Sequence, residues 1–310
     1  MSEKAELLTI LGHTAGGKTA LAAHVAERLG AEIISADSRQ VYRGMNIGSG
    51  KDYDDYMVNG KRVPVHLLDI VDAGYEYNVF EFQKDFLRIY KILKASAKPV
   101  LLCGGSGLYL ESVLRNYELV NVPVNEELRK SLGEKDLDEL KKILQEYRPL
   151  HNTTDIKSRK RLLRAIEIAE YSKGTMEEAG KSVEEELNSM NFGIVFDREE
   201  RRSRITLRLK ERLKSGMIEE AEALIRAGVT HQKLEYYGLE YKYLSRYLAG
   251  SLSYDDMFSQ LNTAIHQFAK RQMTYFRGME KRGIKIHWID GSLPLEEKRE
   301  LIVKTYLETT

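Results

Sequence analysis

Apolar residues in the first third of the chain come in short runs. Between them lie longer stretches in which apolar positions recur every three or four residues. LLTIL (7–11), AEIIS (31–35) and KPVLLCGG (98–105) predict buried strands, and VPVHLLDIV (63–71) predicts a strand or a loop leading into one. KTALAAHVAERLG, closed by Gly30, and VFEFQKDFLRIYKILKASA predict helices between them. Strands spaced by helices of this length pair in parallel through right-handed crossovers. The expected fold is therefore α/β, a doubly wound, mostly parallel sheet flanked by helices, with its ligand cleft at the strand C-termini.

The pattern changes near Val120. VPVNEELRKSLGEKDLDELKKILQEYRPLH reads as small amphipathic helices, followed by a helix over RKRLLRAIEIAEYSKGT that ends at Gly174. FGIVF (192–196) and KIHWID (285–290) predict two late strands in a mostly helical remainder. The expected organisation is a first core part over 1–121, a small all-helical insertion over 122–156, and a core continuation over 157–310.

Composition narrows the class. The apolar runs are strand-sized, so no segment is expected to span a bilayer. One cysteine, Cys103, excludes a disulfide framework and a Cys-based zinc site. These features predict a cytoplasmic protein. The net charge is only +1, yet KSRKRLLR (157–164) and KRQMTYFRGMEKR (270–282) concentrate cations that suit a phosphate backbone.

The chemistry starts at GHTAGGKT, residues 12–19, which fits the phosphate-cradling pattern between a strand and a helix. Gly12, His13, Thr14, Ala15, Gly16 and Gly17 form a loop whose backbone N–H groups converge on an anion, beside the positive end of the next helix. Lys18 reaches the outer phosphoryl oxygens and Thr19 is the candidate Mg²⁺ ligand. Asp37, at the end of the second strand, is a candidate base, with Ser38, Arg39 and Gln40 offering groups that read polar edges. No apolar strand ends in the Asp-Glu pair of a hydrolase. From these residues alone a kinase, another transferase or a binding switch stays open.

Further segments narrow that choice. GHTAGGKT, SADSRQVYRGMNIGSGK, HLLDIVDAGYEYNVFEF, LLCGGSGLYL, RAIEI, RITLRLKERLKSGMIEEAEAL and AKRQMTYFR together resemble the tRNA dimethylallyltransferases, in order over most of the chain. The resemblance implies that the cradle holds the diphosphate of dimethylallyl diphosphate, and that the prenyl group passes to N6 of the adenine next to the anticodon. It implies Asp37 as general base, with Lys18, a Thr19-bound Mg²⁺ and Arg208 stabilising the leaving diphosphate and Ser106 at the target nucleotide. It places tRNA contacts at Asp37, Ser38, Arg39, Gln40, Ser106, Arg129, Lys160, Arg161, Arg164, Lys242, Lys270, Arg271, Gln272 and Arg277. The expected partners are the anticodon stem-loop and the prenyl donor, with no membrane, and the chain is expected to be a monomer. Tyr236, Tyr237, Tyr241 and Tyr243 are available for stacking on bases. His13 stands where relatives have Pro, Ser106 where they have Thr, and Glu240 where they have Gly. The rival readings are prenylation of free adenine nucleotides and a small-molecule kinase; neither needs the insertion or the basic run.

Overall fold

The computed structural model describes residues 5–147, 158–175 and 187–308. In chain order the elements begin with β1 (Leu7–Gly12), α1 (Lys18–Leu29) and β2 (Glu32–Ala36). A two-stranded ribbon, β3 (Met57–Val58) and β4 (Lys61–Arg62), precedes β5 (Val65–His66), α2 (Val79–Ala95), β6 (Val100–Gly104) and α3 (Gly107–Leu114). Next come α4 (Glu126–Ser131), α5 (Leu137–Tyr147) and α6 (Arg159–Thr175). The chain continues through β7 (Ser189–Val195), α7 (Arg198–Lys214), α8 (Met217–Arg226), α9 (His231–Tyr236) and α10 (Leu239–Leu248). It closes with α11 (Tyr254–Lys281), β8 (Ile286–Asp290) and α12 (Leu295–Glu308). Among the described residues no helix is long and apolar enough to cross a membrane.

The main sheet has the order β5-β2-β6-β1-β7-β8, and every pairing in it is parallel. Successive side chains of a strand point to opposite faces, so a sheet covered on both sides needs apolar residues at every position. The central strand β1 comes close to that demand, with Thr9 its one polar side chain. Leu7 and Leu11 of β1 enter the apolar core beneath α2, α3 and α11, while Leu8 and Ile10 enter the core beneath α1 and α12. In β6, Val100 and Leu102 join the first core, and Leu101 and Cys103 the second. The expected doubly wound parallel architecture is what these strands build.

One expected strand is shorter than its hydrophobicity suggested. Of 63–71 only Val65 and His66 join the sheet, because Leu67 and Asp69 take positive φ values of 62° and 53° and break the extended run. The Asp69 carboxylate is then turned onto the buried Lys51 ammonium and the Tyr53 hydroxyl.

The chain divides into two compact units, Met1–Tyr117 with Glu185–Thr310, and Glu118–Glu184. The smaller one exceeds the expected 122–156, because α6 gives its apolar face to its neighbours there rather than to the large core. Leu162, Ala165 and Ile166 pack with Leu132, Leu140 and Leu144. Among them Glu167, its side chain 1% exposed, accepts from Arg129 Nε (2.7 Å), Arg129 Nη2 (3.1 Å), Arg164 Nη1 (3.0 Å) and the Asn125 N–H (3.2 Å). A carboxylate so deeply placed is tolerable only when fully paired, and two guanidinium groups supply the pairing.

Candidate active site

The strand C-termini converge on one cavity of about 380 Å³ in the larger unit. Its first wall is the phosphate loop. Gly17 sits at φ 69°, the left-handed conformation that ends the loop and starts α1, and a β-carbon there would be strained. The loop is held from three sides. Lys18 Nζ donates to the His13 carbonyl (2.7 Å), Thr14 N–H donates to Gln272 Oε1 (2.9 Å), and Arg204 Nε donates to the Ala15 carbonyl (3.2 Å). Thr14, Lys18 and Thr19 line the cavity, and Gly12, Ala15, Gly16 and Gly17 shape the turn behind them. Burial pulls the Lys18 ammonium down to about 8, with the Arg208 charge adding to the effect and Asp37 opposing it.

The His13 side chain does not line the cavity. Its ring is buried edge-on to Phe196, with Nδ1 on the Thr14 carbonyl (2.6 Å). Burial holds its pKa near 4, against the hydrogen bond to Thr14, so at neutral pH the ring is uncharged. It therefore offers no cation to a phosphate; only its backbone serves the loop.

The second wall comes from β2 and the β6–α3 turn. Asp37 follows β2, and its Oδ1 accepts the Arg39 N–H (2.9 Å) in a local turn. Among the described residues its Oδ2 has no hydrogen-bond partner. The Ser106 hydroxyl accepts the Ser38 N–H (3.1 Å), tying the two strand ends together beside the carboxylate. The Arg39 guanidinium lies 5.4 Å from the centre of the Tyr236 ring, and both line the cavity with Lys242 and the exposed Arg271.

Other expected contacts have different roles. Gln40 and Gln272 border the cavity, but both ends of each amide are engaged. Gln40 donates to the Gly50 carbonyl (3.1 Å) and accepts from Ser35 Oγ, while Gln272 accepts from Thr14 and donates to the Gly105 carbonyl (2.8 Å). These bonds brace the loops around the cavity. Lys270 and Arg277 are exposed on α11, seven residues apart and so on one helix face, and neither lines the cavity. Arg129 and Arg164 are held by Glu167 in the smaller unit, where Lys160 and Arg161 are exposed on α6. Tyr237 and Tyr241 are buried, which removes them from the candidates for base stacking. Tyr236 remains at the cavity wall.

The third wall carries residues that the sequence did not single out. Glu220 of α8 accepts the N–H groups of Asn46 (2.7 Å), Ile47 (2.8 Å) and Gly48 (2.9 Å) and the Tyr241 hydroxyl (2.6 Å). That clamp fixes the loop whose Gly48, Ser49 and Gly50 edge the cavity. Lys51, fully buried at its side chain, anchors the loop's far end on the Tyr42 carbonyl (2.8 Å) and Asp69. From α7, Arg208 pairs with Asp52 Oδ2 (2.6 Å), and Arg212 packs one turn further along. Burial lowers Arg212 to about 10, assisted by Arg208 and opposed by Glu240. Glu240, from the start of α10, also faces the cavity; burial pushes its carboxyl up and the Arg212 charge counteracts it. Cys103 borders the cavity too, but burial pushes its thiol up to about 12, so it is no nucleophile.

Could the site take a divalent cation? Among the described residues no cluster of three or more His, Cys, Asp or Glu side chains could cage one. A hydroxyl such as that of Thr19 is, however, the kind of ligand Mg²⁺ takes when phosphate oxygens and water complete its shell. The residues present fit a metal that arrives with a diphosphate.

Comparisons with known proteins agree with this geometry. A family model described as IPP transferase matches residues 40–279. The chain is 57% identical over 293 residues to a tRNA dimethylallyltransferase 2 of Bacteroides fragilis, covering 94% of this chain and 95% of that one. A tRNA dimethylallyltransferase 1 of Parabacteroides distasonis is 55% identical over 293 residues, with coverage of 94% and 95%. A crystal structure of a tRNA delta(2)-isopentenylpyrophosphate transferase from Staphylococcus epidermidis superposes with a TM-score of 0.71 at 27% identity, covering 99% of this chain and all of that one. A eukaryotic dimethylallyltransferase acting on tRNA shares the fold, with a TM-score of 0.75 at 18% identity.

Proposed function

The chain belongs to the IPP transferase family, and from that premise we propose how its cavity performs the transfer of a dimethylallyl group to tRNA. The observation that carries the reading is the shared cavity. Lys18 and Thr19 at a helix N-terminus face the same 380 Å³ space as an Asp37 carboxylate with one oxygen unengaged.

The donor's diphosphate lies against the phosphate loop and its prenyl carbon points toward Asp37. An adenine swings out of its RNA stack to enter, since a stacked base cannot present N6 to a recessed site. Tyr236, with the Arg39 cation over its ring, is placed to receive it. The allylic C–O bond breaks with its electron pair going to the diphosphate oxygen, the N6 lone pair closes the new C–N bond, and Asp37 Oδ2 takes the N6 proton. Negative charge grows on the diphosphate as this happens. The loop N–H groups, Lys18 and Arg208 are already oriented toward that charge, which is how a preorganised site lowers a barrier. Mg²⁺ bound through Thr19 would add Lewis-acid stabilisation of the same oxygens. Thr19 and the phosphate loop would hold it, leaving Asp37 to the proton.

The RNA-facing cations are Arg39, Lys242 and Arg271 around the cavity, Lys270 and Arg277 on α11, and Lys160 and Arg161 in the smaller unit. Phosphate contacts of this kind make binding salt-dependent. The test is mass analysis of nucleosides from tRNA incubated with the protein, Mg²⁺ and labelled dimethylallyl diphosphate. A prenylated adenosine next to the anticodon is expected. Label appearing in free adenine nucleotides when ATP replaces tRNA, with none in tRNA, would overturn the assignment of the acceptor.

A further inference from the structure

Two arginines of α7 face the cavity, and they are unequally placed. Arg208 is ion-paired with Asp52. The Nε and Nη2 of Arg212 are buried and bonded to nothing. The Arg212 guanidinium lies against Gly50, where a β-carbon would fall 1.9 Å from Nη2. It also borders a void of about 10 Å³, scarcely a water molecule in size, walled by Thr14 and Ala15 of the phosphate loop, Arg208 and Glu240. A guanidinium kept dry and unpaired is unfavourable, and such groups in native proteins are generally explained by a partner that arrives. The nearest opposing charge does not fill that part. Glu240 interacts with its own backbone N–H and acts on Arg212 only through its field.

We propose that Arg212 is a diphosphate-binding residue, a second guanidinium beside Arg208 that grips the leaving group, and that Glu240 weakens this grip by opposing the ligand's charge. The inference rests on the cavity being the donor site. Its position selects the diphosphate over the RNA backbone, because the void it borders is bounded by the phosphate loop. A planar fork with free N–H donors suits the paired oxygens of a phosphoryl group. Glu240 accounts for why so strong a cation does not trap the product: its carboxylate competes for the guanidinium's field once the prenyl group has gone.

The experiment is calorimetric titration of inorganic diphosphate with Mg²⁺ into the full-length protein and its variants, with tRNA affinity and thermal melting measured in parallel. Arg212→Gln is expected to bind diphosphate at least tenfold more weakly and Arg212→Lys to recover part of the loss, with tRNA affinity within twofold. Glu240→Gln is expected to bind diphosphate several-fold more tightly. Wild-type affinity in Arg212→Gln would overturn the proposal, as would a loss in Glu240→Gln parallel to that in Arg212→Gln, the mark of a merely structural pair. Should melting show Arg212→Gln unfolded, Glu240→Gln decides alone, tighter binding supporting the proposal and unchanged or weaker binding overturning it. Lys18→Ala separates the premise, since undiminished diphosphate binding there would remove the phosphate loop from the donor site itself.

Discussion

The phosphate loop and the wall facing it both present cations to one ligand, yet they are constructed by opposite means. The loop is eight consecutive residues, and its anion-seeking groups are backbone N–H dipoles set by a turn and a helix start. The facing wall takes Arg208 and Arg212 from α7, Glu240 from α10 and the Gly48–Gly50 edge from a loop clamped by Glu220 of α8. Backbone dipoles cannot be titrated or substituted away, whereas the facing wall depends on side chains that other side chains hold in place. A site with one fixed and one adjustable half can be retuned through side chains such as Glu240 without altering the loop.

That contrast can be broken most directly at the residue both halves serve. Asp37→Ala should lower kcat by about two to four orders of magnitude with tRNA still bound, the usual range for a general base. Turnover at the wild-type rate in labelled-donor assays would remove Asp37 from that role. The next test pits glycine against glycine. Gly17→Ala adds only left-handed strain, about 1 kcal/mol. Gly50→Ala adds the same strain at φ 72° and also displaces the Arg212 guanidinium, so about 2–3 kcal/mol is expected in urea unfolding. Equal losses would deny the facing wall its tight packing.

Glu220→Gln tests the clamp. It keeps the shape but replaces one of the two oxygens that accept four hydrogen bonds with an N–H donor, and a loss of about 2 kcal/mol in stability is expected. An unchanged unfolding midpoint would mean that the loop is held by something else.

The smallest effect concerns pH. Lys18, lowered to about 8 in the free protein, binds a diphosphate as the ammonium. Raising the pH above 8 should therefore weaken donor binding, up to about tenfold per pH unit, until the pKa of the complex is reached. For folding the sign is the reverse, because a lysine depressed below its unfolded value penalises the native state while charged. That penalty fades as pH rises from about 8 through the unfolded value, so stability should rise over the window where donor affinity falls. A donor KM flat from pH 7 to 10 would contradict the burial of Lys18.

Legibility followed the same division. β1 and β6 could be read because both faces of each strand are buried and every position but Thr9 is apolar, and the phosphate loop because its spacing is contiguous. Asp37 could be placed because it ends a readable strand. Arg212 and Glu220 could not, since a guanidinium and a carboxylate on two amphipathic helices look like solvent-facing charges until the loop at 46–50 folds over them. The reach of 63–71 was overstated because hydrophobicity does not reveal a positive φ at Leu67 and Asp69. The bracing bonds of Gln40 and Gln272 were not legible, for an amide held at both ends looks in sequence like any other. The smaller unit's boundary moved because α6 is apolar on the face that meets α5 and basic on the other, and only packing decides which neighbour claims it.

One amide ties these themes together. Gln272 sits about two-thirds of the way along α11, a rod of 28 residues, and holds the Thr14 backbone with its oxygen and the Gly105 backbone with its nitrogen. The long helix and the cradle's peptide are thus joined through one side chain, and an engineer wishing to loosen the one from the other would cut there.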